Sequence, residues 1–364
     1  RRIAQTVSLA LFLLLVLSVR DLADSPVPSG SYIQTDPLVA TLVSIANRTP
    51  MTSLIGALVL ALSAVVLGRF FCGWLCPLGT LLDVLGRFRP FPDSVRGLHH
   101  ERLRLLKYSV LGLMVAGAAL SAQWAHFADP MTILHRGIAS SVLVSGKGSL
   151  AEPSTGMTFN LVALLLVVVV LASTLLTRRF FCRYLCPLGA LYALLSRFSL
   201  LSVEVRSCGG CTPGTGLRRC VSDCRMGAIV PGASRARNAE CIRCMTCVEQ
   251  CNTGAVRLRG AVPFTAPGPT PALPERRAFL VQAAGAATLL PMAILTRSSD
   301  RVDPTVLRPP QVFDEDIFVD SCVRCGLCIR ACPTGALRPA TLATGLAGLW
   351  TPMLVPFHGG CVAT

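Results

Sequence analysis

The chain has 364 residues and a net charge of +15; 52% of its residues are hydrophobic and only 15% are charged. That balance excludes an ordinary soluble domain, and the positive charge is spread over alternate loops between apolar runs, which excludes a nucleic-acid-binding face. The 17 cysteines fall in metal-cluster spacings, not in the framework of a short secreted domain, so they read as ligands and not as a disulfide scaffold.

Five apolar runs have the length expected of membrane spans: Ile3–Val19, Met51–Leu67, Leu105–Ala125, Met157–Thr177 and Ala278–Thr296. The expected fold class is therefore an all-α polytopic membrane domain of four to five transmembrane helices, with small α+β ferredoxin-like 4Fe-4S domains attached. Residues 1–198 are assigned to the membrane domain. Basic residues crowd the loop between the second and third runs and the stretch after the fourth. Positive loops stay inside, so the N-terminus and residues 199–260 are placed in the cytoplasm of a bacterial inner-membrane protein.

Two near-identical segments follow apolar runs. One reads GRFFCGWLCPLGTLLDVLGRF from Gly68, the other RRFFCRYLCPLGALYALLSRF from Arg178. The pairs Cys72/Cys76 and Cys182/Cys186 are spaced i, i+4, which puts both thiols of a pair on one helix face. Pro77 and Pro187 are expected to disturb the helix just beyond. Packed about a pseudo-twofold axis, as membrane repeats often are, the copies bring four sulfurs together. Four thiolates suit an iron–sulfur centre or a tetrahedral soft metal. A thiol–disulfide switch, or cysteines packed as small apolar residues, are the competing readings.

Between the copies, the third run ends in WAHFADPMTILHR. Its His126, Asp129 and His135 are read as a quinol site, because quinol oxidation needs a proton acceptor and a histidine–carboxylate pair supplies one. The competing reading is polar residues anchoring a helix end. His99 and His100 lie in a basic loop and read as solvated.

Residues 199–260 hold two cysteine runs. Cys241-x2-Cys244-x2-Cys247-x3-Cys251 has the spacing of a cluster loop whose fourth cysteine ligates the neighbouring cluster. Upstream stands Cys208-x2-Cys211-x8-Cys220-x3-Cys224, with a turn-rich insertion. Cross-ligation assigns Cys208, Cys211, Cys220 and Cys251 to one 4Fe-4S cluster, and Cys241, Cys244, Cys247 and Cys224 to a second.

Residues 261–275 are a proline-rich, semi-rigid linker. Residues 276–297 open on Arg276-Arg277 before an Ala/Gly-rich stretch and read as a twin-arginine-like signal or anchor helix, with an ordinary flanked helix as the competing reading. The last part, 298–364, is expected to be a second ferredoxin-like domain in the periplasm. Its run Cys322-x2-Cys325-x2-Cys328-x3-Cys332-Pro333 matches the bacterial ferredoxin pattern and holds one or two clusters. Cys361 reads as a ligand of a further, incomplete run.

The doubled F-C-x-x-L-C-P-L-G segments, followed by a two-cluster region, resemble the NapH-type membrane quinol dehydrogenase subunits and their NosR-type relatives. The part from Glu275 onward resembles the exported NapG/MauM-type ferredoxins, so the chain resembles a fusion of the two. The resemblance implies four helices, quinol oxidation, and electron delivery from the quinol pool to a periplasmic acceptor such as a cytochrome or terminal reductase. The chain would then act as a quinol dehydrogenase or electron-transfer component in contact with membrane lipid. An alternative family of oxidase-assembly proteins, linked to copper reduction, carries similar thiol pairs.

Overall fold

A computed structural model describes residues 1–17, 31–48, 54–88, 98–120, 128–145, 156–206, 219–230, 233–260 and 306–356, apart from 311, 333, 341–343 and 345–347. The chain divides into two units that interleave along the sequence. The first gathers Arg1–Leu9, Leu58–Tyr108 and Ala172–Gln282; the second gathers Ala10–Ala57, Ser109–Leu171 and Ala283–Thr364.

The described parts of the first four apolar runs form helices, and with the segments between them the order is α1 (Arg2–Leu17), α2 (Ser31–Gln34), α3 (Pro37–Asn47), α4 (Leu54–Leu67), α5 (Phe70–Trp74), α6 (Pro77–Leu85), α7 (Leu98–Ala119), α8 (Pro130–Ser145) and α9 (Gly156–Ala172). The expected all-α membrane domain with four to five transmembrane helices is corrected by their lengths. Among the described residues, no helix is long and apolar enough to cross a membrane. The 16 residues of α1 rise about 24 Å, against a hydrocarbon core of about 30 Å. Helix α4 has 14 residues and α9 has 17. Helix α7 reaches 22 residues, but its first turns carry Glu101, Arg102, Arg104 and Lys107. The fifth run, the linker and Arg276-Arg277 lie outside the described residues.

In the first unit, each C-x3-C-P segment makes a pair of short helices: α5 and α6 in one copy, α10 (Phe180–Tyr184) and α11 (Pro187–Ser196) in the other. The prolines do not disturb a continuing helix. Pro77 and Pro187 occupy the first turn of α6 and α11, where a missing N–H costs nothing. The second cysteine of each pair is the extended N-cap. Cys76 Sγ accepts from Gly79 N at 3.4 Å and Cys186 Sγ accepts from Gly189 N at 3.2 Å. The i, i+4 spacing therefore straddles a helix break instead of marking one face of a single helix.

The ferredoxin-like part of this unit is a small α+β element. Strand β1 (Leu201–Val205) pairs antiparallel with β2 (Val256–Gly260), Val205 opposite Val256. Between them lie two single turns, α12 (Arg219–Ser222) and α13 (Thr246–Glu249). Val203, Val205, Cys220, Ile229, Ala236 and Val256 form the core beneath the cysteine loops.

The second unit contains α14 (Glu315–Ser321), α15 (Leu327–Ala331) and the antiparallel pair β3 (Leu337–Pro339) and β4 (Pro352–Leu354). Asp36 caps α3, ahead of Pro37, and Asp314 caps α14, each satisfying amides that the first helical turn leaves unpaired. Helix α14 packs on α3, and α15 on α8 and β3. Ile33, Val39 and Val43 form a core against Val323, Cys325 and Leu327 of the cysteine loop.

Candidate metal centre

The four thiols Cys72, Cys76, Cys182 and Cys186 are all buried in the first unit. Cys76, Cys182 and Cys186 lie near enough to the other thiols to feel their charge. Burial pushes Cys182 up to about 11 and raises Cys76 and Cys186 well above the usual thiol value, and the neighbouring cysteines add to the rise in each. Buried thiols resist ionisation until a metal centre or a cation supplies positive charge. Among the described residues, no three Cys, His, Asp or Glu side chains converge on a single-ion geometry.

Two arginines at the same offset in the copies cross between them. Arg179 of the second copy donates to the carbonyls of Cys72 (2.9 Å) and Gly79 (3.0 Å) in the first. Arg69 of the first copy lies where a Cβ on Gly189 would come within 2.8 Å of its Nη2, so glycine there makes room for the guanidinium. Both arginines are fully buried. Arg179 forms a forked pair with Asp83, Nε and Nη2 each at 2.8 Å from one oxygen. Burial opposes the charge of Asp83, but Arg179, Arg225 and Arg1 outweigh it and hold the carboxyl well below its usual range. Arg69 pairs with Glu240 at 3.3 Å, and Lys107 Nζ lies 2.7 Å from both Glu240 oxygens. Glu240 stays below its ordinary pKa despite burial, through Lys107 and Arg69. Burial lowers Lys107 to about 8, against the pull of Glu240.

These contacts bind the doubled segment to the cysteine loop of the ferredoxin-like element. Arg69 also donates to Ala239 O at 3.0 Å, two residues before Cys241. Trp74 Nε1 donates to Arg243 O at 2.9 Å. A Cβ on Gly73 would sit 2.2 Å from Ile242 O, so only glycine admits the loop this closely. At the matching position of the other copy, Arg183 donates to the carbonyls of Cys224 (3.3 Å) and Arg225 (2.6 Å). The loop itself turns through left-handed backbone at Arg243 (φ 53°) and Met245 (φ 60°).

One apolar pocket in this element is lined by Cys224, Cys241, Cys244 and Cys247, together with Val203, Met226, Ala228 and Ile229. Four thiols around an apolar hollow are a donor set that fits a 4Fe-4S cluster. Cys220 and Cys251 pack in the same core, while Cys208 and Cys211 lie outside the described residues. In the second unit Cys322, Cys325 and Cys328 act on one another, and burial pushes Cys325 up to about 11 and Cys328 up to about 12. Cys332 instead lies 3.5 Å from Thr334 Oγ1, and Cys251 stands at 3.5 Å from Thr253 in the same register. Arg324 (φ 53°) and Gly326 (φ 77°) repeat the left-handed turns of Arg243 and Met245. Cys361 lies outside the described residues.

Of the residues read as a quinol site, His126 lies outside the described residues. Asp129 is buried and caps α8, accepting from Thr132 N at 2.8 Å and Oγ1 at 2.9 Å; burial pushes it up to about 6. His135 is buried with its ring edge-on to Phe12 at 5.8 Å. Sequence reasoning missed Asp36, whose pKa burial raises strongly, with the charge of Asp129 adding to the rise. It also missed Arg69 and Arg179, although an arginine at the same place in both R-F-F-C copies was a readable signal.

The family described as "4Fe-4S binding domain" matches residues 49–93 and 159–203, the two C-x3-C-P copies, and a second family of the same description matches residues 316–338. The chain therefore carries 4Fe-4S binding domains. It is similar to the ferredoxin-type protein NapH of Haemophilus influenzae, 28% identical over 233 residues, covering 59% of this chain and 71% of NapH. It is similar to protein NirI of Paracoccus denitrificans, 34% identical over 195 residues, covering 51% of this chain and 26% of NirI. A third relative is the methylamine utilization ferredoxin-type protein MauM of Methylorubrum extorquens, 41% identical over 96 residues, covering 25% of this chain and 43% of MauM. The chain thus spans less than two thirds of the length of NirI and of MauM. No solved structure matches. With 4Fe-4S binding domains on both cysteine-bearing copies, the chain is an iron–sulfur protein similar to NapH.

Proposed function

We propose that this iron–sulfur protein transfers electrons from a quinol, or from a cytoplasmic donor, to a periplasmic redox acceptor such as a cytochrome or terminal reductase. The observation that carries the reading is the set of four thiols lining one apolar pocket, tied by Trp74, Arg69 and Arg183 to a second set of four buried thiols. In this reading Cys241, Cys244, Cys247 and Cys224 hold one 4Fe-4S cluster. Cys208, Cys211, Cys220 and Cys251 hold another, and Cys322, Cys325 and Cys328 ligate a third with Cys332 or a further cysteine. When bound, the clusters supply one-electron redox chemistry, while the protein sets insulation, charge and position. The buried carboxyl of Asp129, kept largely protonated at mildly acidic pH, is the residue offered for handling a quinol proton.

The similarity to MauM supports a fused ferredoxin segment in the C-terminal part. The exposed apolar faces of α1 (Val7, Leu11, Leu14), α4 (Ile55, Leu58, Leu62) and α9 (Leu161, Leu165, Val168) support contact with the acyl region of a bacterial cytoplasmic membrane, since monomers rarely leave such stripes bare.

Anaerobic purification with iron and sulfide counting, followed by low-temperature EPR during reduction with a menaquinol or ubiquinol analogue, tests the reading. Clusters that form and are reduced by the analogue support it. Clusters that form but stay oxidised remove the quinol donor, and iron-free protein removes the whole proposal.

A further inference from the structure

In the first unit, a cleft of about 400 Å³ opens beside the Asp83–Arg179 pair, a size in the range of small-ligand sites. Its lining residues include four arginines, Arg87, Arg178, Arg179 and Arg225, and two acids, Asp83 and Asp223. Four minus two leaves a surplus of two positive charges. Arg1, which also pairs with Asp83, raises that surplus to three. Asp83 Oδ1 accepts from Arg179 and Arg225 at 2.8 Å each, and Oδ2 accepts from Arg179 at 2.8 Å and from Gln5 at 3.0 Å and also pairs with Arg1. One carboxylate thus faces three guanidiniums. Thr246 and Gln250 add neutral hydrogen-bonding groups to the same wall.

We propose that this cleft binds a phosphate-type oxyanion, held by the guanidiniums of Arg87, Arg178 and Arg225. Planar guanidiniums bind such oxygens in pairs, and charge-assisted bonds of this kind are about twice as strong as neutral ones. The cleft adjoins the four-thiol pocket, with Asp223 and Thr246 lining both, and anion binding there is read separately from electron transfer. Two sources present the same chemistry: a soluble phosphate and the headgroup of an anionic lipid.

The test titrates inorganic phosphate into the purified full chain by calorimetry and, separately, measures binding to vesicles of phosphatidylcholine with and without phosphatidylglycerol. Arg87→Gln with Arg178→Gln, both exposed side chains outside the hydrogen bonds of Asp83, is expected to weaken phosphate binding at least about tenfold. Arg259→Gln, 64% exposed on β2, is expected to leave it unchanged. Phosphate competing with phosphatidylglycerol vesicles identifies the headgroup as the source. Phosphate binding with vesicle binding indifferent to the double substitution identifies the soluble anion. Absence of both kinds of binding, or phosphate binding that the double substitution leaves intact, overturns the site. An Arg225→Lys variant keeps the charge and loses the fork, so its weakened affinity with unchanged melting separates recognition from folding.

Discussion

At the scale of single residues, the first unit depends on two buried ion pairs. Replacing one partner of such a pair strands the other's charge in an apolar surrounding, which costs about 3–5 kcal/mol. Asp83→Asn is therefore expected to destabilise this unit by about that amount in a denaturant titration, because Arg179, fully buried, loses its forked acceptor. The pH dependence has a definite sign. Asp83 is held below its ordinary 3.8, so its stabilisation is present above that value and is lost as pH falls toward the depressed folded-state value. Acid melting of wild type measured alongside Asp83→Asn checks this, and equal slopes for the two proteins would refute it. Cys76 offers a second single-residue test, because its sulfur caps α6. Loss of an N-cap costs about 1 kcal/mol and serine restores it, whereas serine replaces a thiolate ligand poorly. If Cys76 is a ligand, Cys76→Ser and Cys76→Ala both lose iron; iron retained in the serine variant assigns the residue to capping alone.

At the scale of elements, the helix break at each C-x3-C-P segment aims the chain. Helix α5 ends, the cysteine caps, and α6 starts at proline, which leaves Gly73 and Trp74 against the cysteine loop. Gly73→Ala places a methyl where Ile242 O stands, so the loop must move. The expected outcome is weakened visible absorbance and lower iron content, with far-UV circular dichroism nearly unchanged, while Gly112→Ala, which meets open space, changes neither. The cysteine runs and the duplication were legible in the sequence because ligand spacing is local. The break was not, because Pro77 reads equally as a helix disruptor and as a first-turn residue, and only the Cys76 cap decides between them. Asp83 and Glu240 were not legible as partners either: Arg179 and Arg69 reach them across 96 and 171 positions, and spacing carries no signal over such separations.

At the scale of the whole molecule, the sequence overstated the apolar runs. Hydropathy counts apolar residues in a row, whereas a span also needs helix length, and among the described residues α1, α4 and α9 have 16, 14 and 17 residues, short of a bilayer's thickness. In the second unit Asp36 and Asp129, far apart in sequence, come near enough for the charge of Asp129 to raise the pKa of Asp36. Each unit keeps its own cysteine constellation. Cys325→Ala is therefore expected to remove only the spectral component of the second unit, with iron per chain reduced and the signal from the loop at Cys241 retained. Simultaneous loss of all components on that one substitution would contradict the division.

The crossed arginines carry a historical implication. Arg179 serves Cys72 and Gly79, and Arg69 lies against Gly189, so each copy lends its cation to the other. That is the exchange two identical subunits make across a shared axis, and a tandem fusion of such subunits would inherit it intact. The two copies differ in their acids: Asp83 serves Arg179, whereas the position in register is Ala193 and Arg69 takes Glu240 from a neighbouring segment. A single copy expressed alone would recover its partner only by dimerising.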